Sequence, residues 1–209
     1  MLLGAIPTLL MMSLTIQLFI SNAYGAEEII LYPNALQKVH LGMSYSELKK
    51  LFPKAQDLAG TPDQDVVTVD FIQNDQLWDS VMYDFKTGKL VSISLLSGAV
   101  KSDGVKDVIP QVLREVLKKY GKDFQKRINL ESKNELQPLF VWTKKEHIVT
   151  LSYTPERNIK KTKRPQVVFR ISAPERKLSE LFQVPPPEVI EAALFDLLIS
   201  ESDREVLVK

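Results

Sequence analysis

The chain contains no cysteine and only two histidines, His40 and His147. The absence of cysteine excludes thiol nucleophiles, thiolate metal sites and the lipid-modified cysteine of a lipoprotein. Neither histidine lies in a metal-binding or nucleophile-activating motif, and the sequence has no phosphate-binding glycine loop and no calcium loop. Motifs therefore predict no catalytic, cofactor-binding or metal-binding residue.

Charged side chains are missing from the first 26 residues. An almost wholly apolar run over residues 2–20 is followed by small and polar residues, and Ala23 and Gly25 are spaced for a signal-peptidase cut before Ala26. We therefore predict a signal peptide over residues 1–25. The first basic residue is Lys38, so the chain lacks the lysine or arginine that usually precedes the apolar core of a signal peptide. The alternative is an uncleaved N-terminal membrane anchor, since about 20 apolar residues can cross a bilayer.

An exported chain without cysteine is more typical of a bacterial envelope than of a eukaryotic secretory pathway. We therefore expect a periplasmic or secreted protein. The 27 basic and 26 acidic residues nearly cancel, so the net charge favours neither nucleic acid nor a membrane surface. The composition predicts a globular domain over residues 26–184, with halves of about 34–100 and 101–184, and then a C-terminal helix and tail over residues 185–209.

The clearest local signal is a helix start in the segment Leu41-Gly42-Met43-Ser44-Tyr45-Ser46-Glu47. Ser44 and Glu47 have the spacing of a capping box, while Met43 and Leu48 have that of a hydrophobic staple. Pro53 cannot continue a helix. The pattern predicts a short helix over residues 45–52.

Strand periodicity follows the first helix. Apolar residues alternate in three runs, and Thr87-Gly88 fits a tight hairpin between the second and third runs. The runs are Val67, Val69 and Phe71, then Val81, Tyr83 and Phe85, then Val91, Ile93 and Leu95.

A second helix is predicted up to Tyr120, with Asp107 as its cap, Pro110 in its first turn and Gly121 at its end. Three strands then follow, over residues 139–143, 147–153 and 166–171. Helix plus three strands thus occurs twice, which indicates an internal duplication and an α+β fold with an antiparallel sheet and helices on one face.

A third helix is predicted over residues 188–200, after the break at Pro185-Pro186-Pro187. We expect its apolar side to pack on the sheet of the same chain, and the alternative is a dimer or partner contact. That side consists of Val189, Ile190, Ala193, Leu194, Leu197 and Leu198.

The helix entry Leu41-Gly42-Met43-Ser44, together with the hairpin segment Tyr83-Asp84-Phe85-Lys86-Thr87-Gly88-Lys89-Leu90, resembles the small envelope modules of the SmpA/OmlA outer-membrane assembly family. The doubled form resembles the beta-lactamase-inhibitor-protein fold. These resemblances imply a helical layer on an antiparallel sheet and a role in binding other envelope proteins. The SmpA/OmlA members are lipoproteins, and this chain has no cysteine for that modification.

One segment stands out by its charge. Arg157, Lys160, Lys161, Lys163 and Arg164 lie between two predicted strands with no acidic residue among them. The simplest interpretation is a solvated loop. The functional one is a contact site for anionic lipid, polyanionic glycan or an acidic protein surface. Nucleic acid is disfavoured because no aromatic residues are interleaved for base stacking.

Together these patterns predict a non-catalytic protein-binding or assembly module of the bacterial envelope, with another envelope protein as partner. Two alternatives remain open. One is a small periplasmic hydrolase that uses a pair of the many aspartates in the first half of the chain, and the other is a carrier of an apolar ligand between helix and sheet.

The export hypothesis makes a direct prediction. Because small residues at Ala23 and Gly25 suit signal peptidase, N-terminal sequencing of the mature protein should begin at Ala26, or at Tyr24 if the cut follows Ala23. Recovery of a chain that still begins with Met1 from the membrane fraction would identify the segment as an anchor.

Overall fold

The computed structural model describes residues 33–59, 66–72, 77–97, 105–132, 135–155, 158, 166–174 and 188–208. These residues form one eight-stranded antiparallel sheet and four α-helices. The predicted α+β class is confirmed. The predicted signal-peptide segment 1–25 and the basic segment 159–164 with Arg157 lie outside the described residues.

The elements repeat in order. Among the described residues, each half supplies one helix and then four strands, and two further helices follow. They are α1 (Tyr45–Leu51), β1 (Gln56–Ala59), β2 (Val66–Phe71), β3 (Ser80–Lys86), β4 (Lys89–Ser97), α2 (Val105–Tyr120), β5 (Gln125–Ser132), β6 (Glu135–Thr143), β7 (Ile148–Tyr153), β8 (Val167–Ser172), α3 (Glu188–Leu198) and α4 (Glu201–Val208).

The strand order β1-β2-β3-β4-β8-β7-β6-β5 shows how the halves meet. Each half is a four-stranded meander, and the two last strands, β4 and β8, pair with each other at the centre. The prediction of three strands per half missed β1 and β5. Both are edge strands, and their polar sequences carry no clear apolar alternation.

The helices lie on one face of the sheet, which we call the helix face. Val112, Leu113 and Val116 of α2 are fully buried there. Large aromatic side chains fill the layer, and Phe195 of α3 makes an edge-to-face contact with Phe140 of β6. The expected packing of α3 on its own sheet is confirmed, although Phe195 is its main anchor and the predicted contact residue Leu197 is 64% exposed.

The start of α1 is built as predicted. The Ser44 hydroxyl accepts from the Glu47 backbone amide, and the Glu47 carboxylate accepts from the Ser44 amide at 2.8 Å. Hydrogen bonding from Ser44 lowers the pKa of Glu47. Met43 and Leu48 are both buried, as expected for a hydrophobic staple.

The helix entry is joined to the β3–β4 hairpin. The Gly42 amide donates to the Leu90 carbonyl at 2.8 Å, and the Tyr45 amide donates to the Gly88 carbonyl at 3.1 Å. Gly42 has φ +84°, a conformation that favours glycine. Thr87 and Gly88 both have positive φ, as the tight hairpin turn requires. The two sequence motifs on which the resemblance was based therefore contact each other.

The predicted cap of α2 is wrong. The helix begins at Val105, so Asp107 and Pro110 both lie inside it and Pro110 falls in its second turn. The burial of Ile109 and Val112 stabilises this longer helix although proline removes one backbone hydrogen bond. The other end is as predicted, because Gly121 has φ +85° and its amide donates to Leu117.

A buried hydrogen bond connects the C-terminal helix α4 to the sheet. The Tyr153 hydroxyl of β7 donates to the Asp203 carboxylate at 2.8 Å, and both side chains are at most 2% exposed. Burial, and then the negative charge of Asp203, raise the pKa of Tyr153 well above its ordinary value.

We predict that Ser44→Ala lowers the free energy of unfolding by about 0.5 to 2 kcal/mol, because the first turn of α1 loses its cap. Urea unfolding followed by circular dichroism measures the change. Ser46→Ala is the matched control, since it removes a neighbouring hydroxyl and keeps the capping box. Equal midpoints for Ser44→Ala and the natural protein would contradict a stabilising cap.

We also predict that Tyr153→Phe costs about 1.5 to 3 kcal/mol at neutral pH, because it removes a hydrogen bond to a carboxylate. The pH dependence has a definite sign. Above about pH 10 the unfolded state releases the phenol proton while the folded state keeps it, so stability falls as pH rises. The free energy of unfolding of the Tyr153→Phe variant, measured by urea titration across this pH range, should fall less steeply than that of the natural protein. Parallel curves would contradict the raised pKa of Tyr153.

Candidate binding face

The sheet has a second face, opposite the described helices, which we call the far face. Directly paired residues of antiparallel strands share a face. Thr68 pairs with Tyr83 on the helix face, so the pairs Val69–Met82 and Val67–Asp84 lie on the far face. The chemistry of the far face changes from one end of the sheet to the other.

At the β1–β3 end the far face is apolar. We define the β1–β3 patch as Leu58, Val67, Val69, Phe71 and Met82. Phe71 is 65% exposed and Leu58 is 62% exposed, while the other three are half-buried. The register shifts between Asp57 and Ala59, so Leu58 and Ala59 together lie opposite Val67, which is on the far face.

The sequence predicted that Val67, Val69 and Phe71 share a face, and they do. They do not belong to the core, however, because Val66 and Thr68 are the buried residues of β2. Both faces of β2 carry apolar residues, so the pattern alone could not choose between them. The choice comes from β3, whose Val81, Tyr83 and Phe85 face the helices and fix the register of β2.

The middle of the far face is polar. Ser92 and Ser172 are buried and their hydroxyls lie 2.9 Å apart across the β4–β8 pair. Next to them the Arg170 guanidinium donates from Nε to the Ser94 hydroxyl at 2.7 Å. At the β6–β7 end Leu139, Val141 and Ile148 form a second, buried apolar cluster. Among the described far-face residues, large exposed apolar side chains therefore occur at the β1–β3 end.

The edge strand that carries Leu58 is held by a polar cluster on the helix face. The Asp57 carboxylate accepts from the Tyr45 hydroxyl at 2.5 Å and from the Thr68 hydroxyl at 2.8 Å. Lys49 lies 3.5 Å from the same carboxylate and donates to the Ala55 carbonyl at 2.7 Å. These contacts connect α1, β1 and β2, so the β1–β3 patch rests on a supported edge.

The charges of this cluster shift two pKa values. The hydrogen bond to Asp57, then burial, raise the pKa of Tyr45 to about 12. Burial alone would raise the pKa of Asp57, but the hydrogen bonds from Tyr45 and Thr68 and the charge of Lys49 outweigh it and lower that pKa. Asp57 therefore stays ionised in its structural role.

The candidate contact residues Arg157, Lys160, Lys161, Lys163 and Arg164 lie outside the described residues. The strands that flank this segment, β7 and β8, are antiparallel neighbours. The two histidines lie in different settings. His40 is exposed, with Nδ1 3.1 Å from the Leu41 carbonyl oxygen, and His147 meets the Tyr120 ring edge-on.

The described part of the chain contains no group of three or more His, Asp or Glu side chains that could hold a metal ion. Its helices include none that is both long and apolar enough to cross a bilayer. Of the aspartates that suggested a hydrolase, Asp70 pairs with Val81 on the helix face and Asp84 with Val67 on the far face, so these two cannot flank one substrate bond.

Sequence reasoning missed the β1–β3 patch as a candidate site. The signal available in the sequence was β2, because apolar residues occupy both faces of this strand. The strand begins at Val66, seven residues after the short edge strand β1 ends at Ala59. Comparison with protein-family models, with curated proteins and with solved structures found no match to this chain.

The basic segment makes a prediction of its own. Replacing Lys160, Lys161, Lys163 and Arg164 by glutamine should reduce retention on anionic vesicles at low salt, because salt screens summed charge attraction over about 10 Å at 0.1 M. Thermal stability should change little, since exposed charges contribute little to folding. Equal retention of the quadruple variant and the natural protein would contradict a binding role for this segment and favour the interpretation as a solvated loop.

Proposed function

We propose that this chain is an exported protein of the bacterial envelope that acts as a non-catalytic protein-binding or assembly module, with the β1–β3 patch as its contact surface. The observation that carries the proposal is the exposure of Phe71 and Leu58, at 65% and 62%, beside three further apolar side chains of the same sheet face. Single exposed apolar residues are ordinary, whereas grouped ones on one face mark interaction sites.

The support beneath the patch suits a binding role. Val67, Val69 and Phe71 project from one strand that is hydrogen-bonded on both sides, to β1 and to β3. A paired strand holds its side chains at fixed spacing, so little conformational entropy is lost when a partner docks. The Tyr45–Asp57–Thr68 contacts restrain the edge strand as well.

The hydrolase alternative receives less support from the described residues. A glycosidase-type mechanism needs two carboxyl groups on either side of the scissile bond. Asp70 and Asp84 lie on opposite faces of the sheet, and Asp57 is engaged by Tyr45, Thr68 and Lys49.

The carrier alternative requires space between helices and sheet. In the described residues Trp142, Phe140 and Phe124 occupy that layer in mutual ring contact, with centroids 5.0 to 6.1 Å apart. Such packing leaves the binding role better supported than ligand storage.

The resemblance to the SmpA/OmlA modules and to the beta-lactamase-inhibitor-protein fold belongs to the same proposal. The repeated order of one helix and four strands supports it, as does the hydrogen-bonded contact between the helix entry and the β3–β4 hairpin. Both resemblances imply a role in binding other proteins.

Site-specific photo-crosslinking in the bacterial envelope tests the proposal. A photoreactive amino acid at Phe71 should give a discrete crosslinked product, because this side chain would lie within the interface. The matched control is Leu197, which is 64% exposed on α3. Leu58→Ser should weaken the crosslink from position 71 while leaving the unfolding free energy within about 0.5 kcal/mol.

Identical products from positions 71 and 197 would contradict a specific contact at the patch. No product from position 71, with folded protein present in the envelope, would contradict the proposal itself.

A further inference from the structure

We infer that the partner of the β1–β3 patch binds through an extended segment, which adds its backbone to the sheet beside Phe71. This inference rests on the proposed function and names the kind of partner. The contact combines hydrogen bonds to the Phe71 backbone with apolar side chains that pack against the patch. It follows from the direction of the backbone groups of β2 and from the place where β1 begins.

The backbone of Phe71 faces away from β3. The Ile72 amide donates to the Asp79 carbonyl at 2.8 Å, so the backbone groups of Ile72 point toward β3. In an antiparallel ladder both backbone groups of one residue point to the same side, and those of the next residue point to the other side. The amide and the carbonyl of Phe71 therefore point to the side on which β1 lies. The Phe71 amide donates to the carboxylate of its neighbour Asp70 at 3.0 Å.

The strand β1 does not reach the position beside Phe71. Its first residue, Gln56, pairs with Val69, so the residues that precede β1 would have to continue the ladder to Phe71. These residues form a turn instead, in which the Ala55 amide donates to the Phe52 carbonyl at 3.1 Å. Among the described residues no strand therefore pairs with the outer side of Phe71, and we call this position the Phe71 step.

The Phe71 step is a better site for strand addition than the outer edge of β1. The Phe52 ring stacks on the helix-face ring of Tyr83 with centroids 5.8 Å apart, so the turn before β1 lies toward the helices. The Phe71 side chain is 65% exposed. In contrast, β1 has only four residues and an irregular register between Asp57 and Ala59, and short or bulged edge strands resist pairing with another chain.

An extended segment suits the Phe71 step better than a helix does. A helix satisfies its backbone groups internally and offers only side chains, whereas an extended segment can accept from the Phe71 amide and donate to the Phe71 carbonyl. Directly paired residues share a face of the sheet, so the residue opposite Phe71 lies on the far face, as Val69 does. Because strand residues alternate between faces, we expect apolar residues at every second position of the partner segment.

Binding of synthetic peptides tests the inference on the full mature chain. The first probe alternates valine and threonine between terminal lysines. The second is the same peptide with every valine amide methylated, which removes the donors that would face Phe71. Hydrogen exchange followed by NMR should show that the first peptide slows exchange of the Phe71 amide on the order of tenfold. The methylated peptide should leave that exchange rate unchanged.

Three variants separate the backbone contact from the side-chain contact. Phe71→Ser keeps the amide and loses the ring, whereas Phe71→Pro loses both and should bind the first peptide on the order of tenfold more weakly than Phe71→Ser. Proline is tolerated at an amide outside the strand ladder. Asp70→Ala removes the carboxylate that competes for the Phe71 amide and should tighten binding. The matched control Asp123→Ala, which changes an exposed aspartate before β5, should bind like the natural protein.

Several outcomes would overturn the inference. Equal binding of the methylated and unmethylated peptides would show that the valine amides make no contact. Asp70→Ala that binds no better than the natural protein would show that the Phe71 amide is not used. Both results can be obtained even if Phe71→Pro does not fold, which circular dichroism melting determines. Absence of binding by the first peptide would also contradict strand addition.

Failure of the inference is distinguishable from failure of the proposed function. If photo-crosslinking from position 71 succeeds in the envelope while methylation of the peptide has no effect, the patch binds a protein through side chains alone. If position 71 gives no crosslink, the patch itself is not a contact surface.

Discussion

The pairing of β4 with β8 is the contact on which the rest of the molecule depends. It joins residues 80 positions apart in the chain, as in the Ser92–Ser172 hydroxyl contact. Each meander alone would have an exposed edge and too small an apolar face to bury its helix. With six paired positions at the centre, the halves become one sheet with one helix face, and a single main hydrophobic cluster extends from Leu48 of α1 to Phe195 of α3.

Exposure on the far face differs between the centre of the sheet and its β1 end. β4 and β8 have neighbours on both sides, and Ser92, Ser94 and Ser172 of the far face are buried. The polar side chains there hydrogen-bond with one another, because the Ser92 and Ser172 hydroxyls are in contact and the Arg170 guanidinium donates to the Ser94 hydroxyl. Toward β1 the sheet ends with a four-residue strand, and the apolar side chains of β2 and β1 remain exposed. The proposed contact surface is thus a property of the sheet's end.

The two ends of the sheet differ in the contacts that hold their edge strands. At the β1 end the Tyr45–Asp57–Thr68 hydrogen bonds fix the edge strand. At the β5 end the Lys126 ammonium lies 2.8 Å from the Asp196 carboxylate and links the edge strand to α3. Beside the first edge Leu58 and Phe71 are exposed, whereas α3 packs against the second edge strand. This asymmetry between similar halves is the reason that the β1 end is the contact surface in our proposal.

Several elements could be predicted from the sequence because short-range physics determines them. The capping box at Ser44, the Thr87-Gly88 turn and the Gly121 helix end depend on residues only a few positions apart, and the structure confirms all three. The apolar stripe of α2 is strong enough to identify a helix. Its start was misplaced, because burial of the stripe extends the helix past the local signals Asp107 and Pro110.

The sequence by itself determined the fold class, the main helices, the hairpin and the repeated order of helix and strands, since these follow from periodicity and from turn and cap chemistry. Only the tertiary structure decided which face of β2 is exposed, that Phe195 and not Leu197 anchors α3, and that Asp70 and Asp84 are separated by the sheet. The physical reason is that exposure depends on register and on neighbours distant in sequence. A one-residue shift in pairing would have buried Phe71 and exposed Thr68 with the same amino acids.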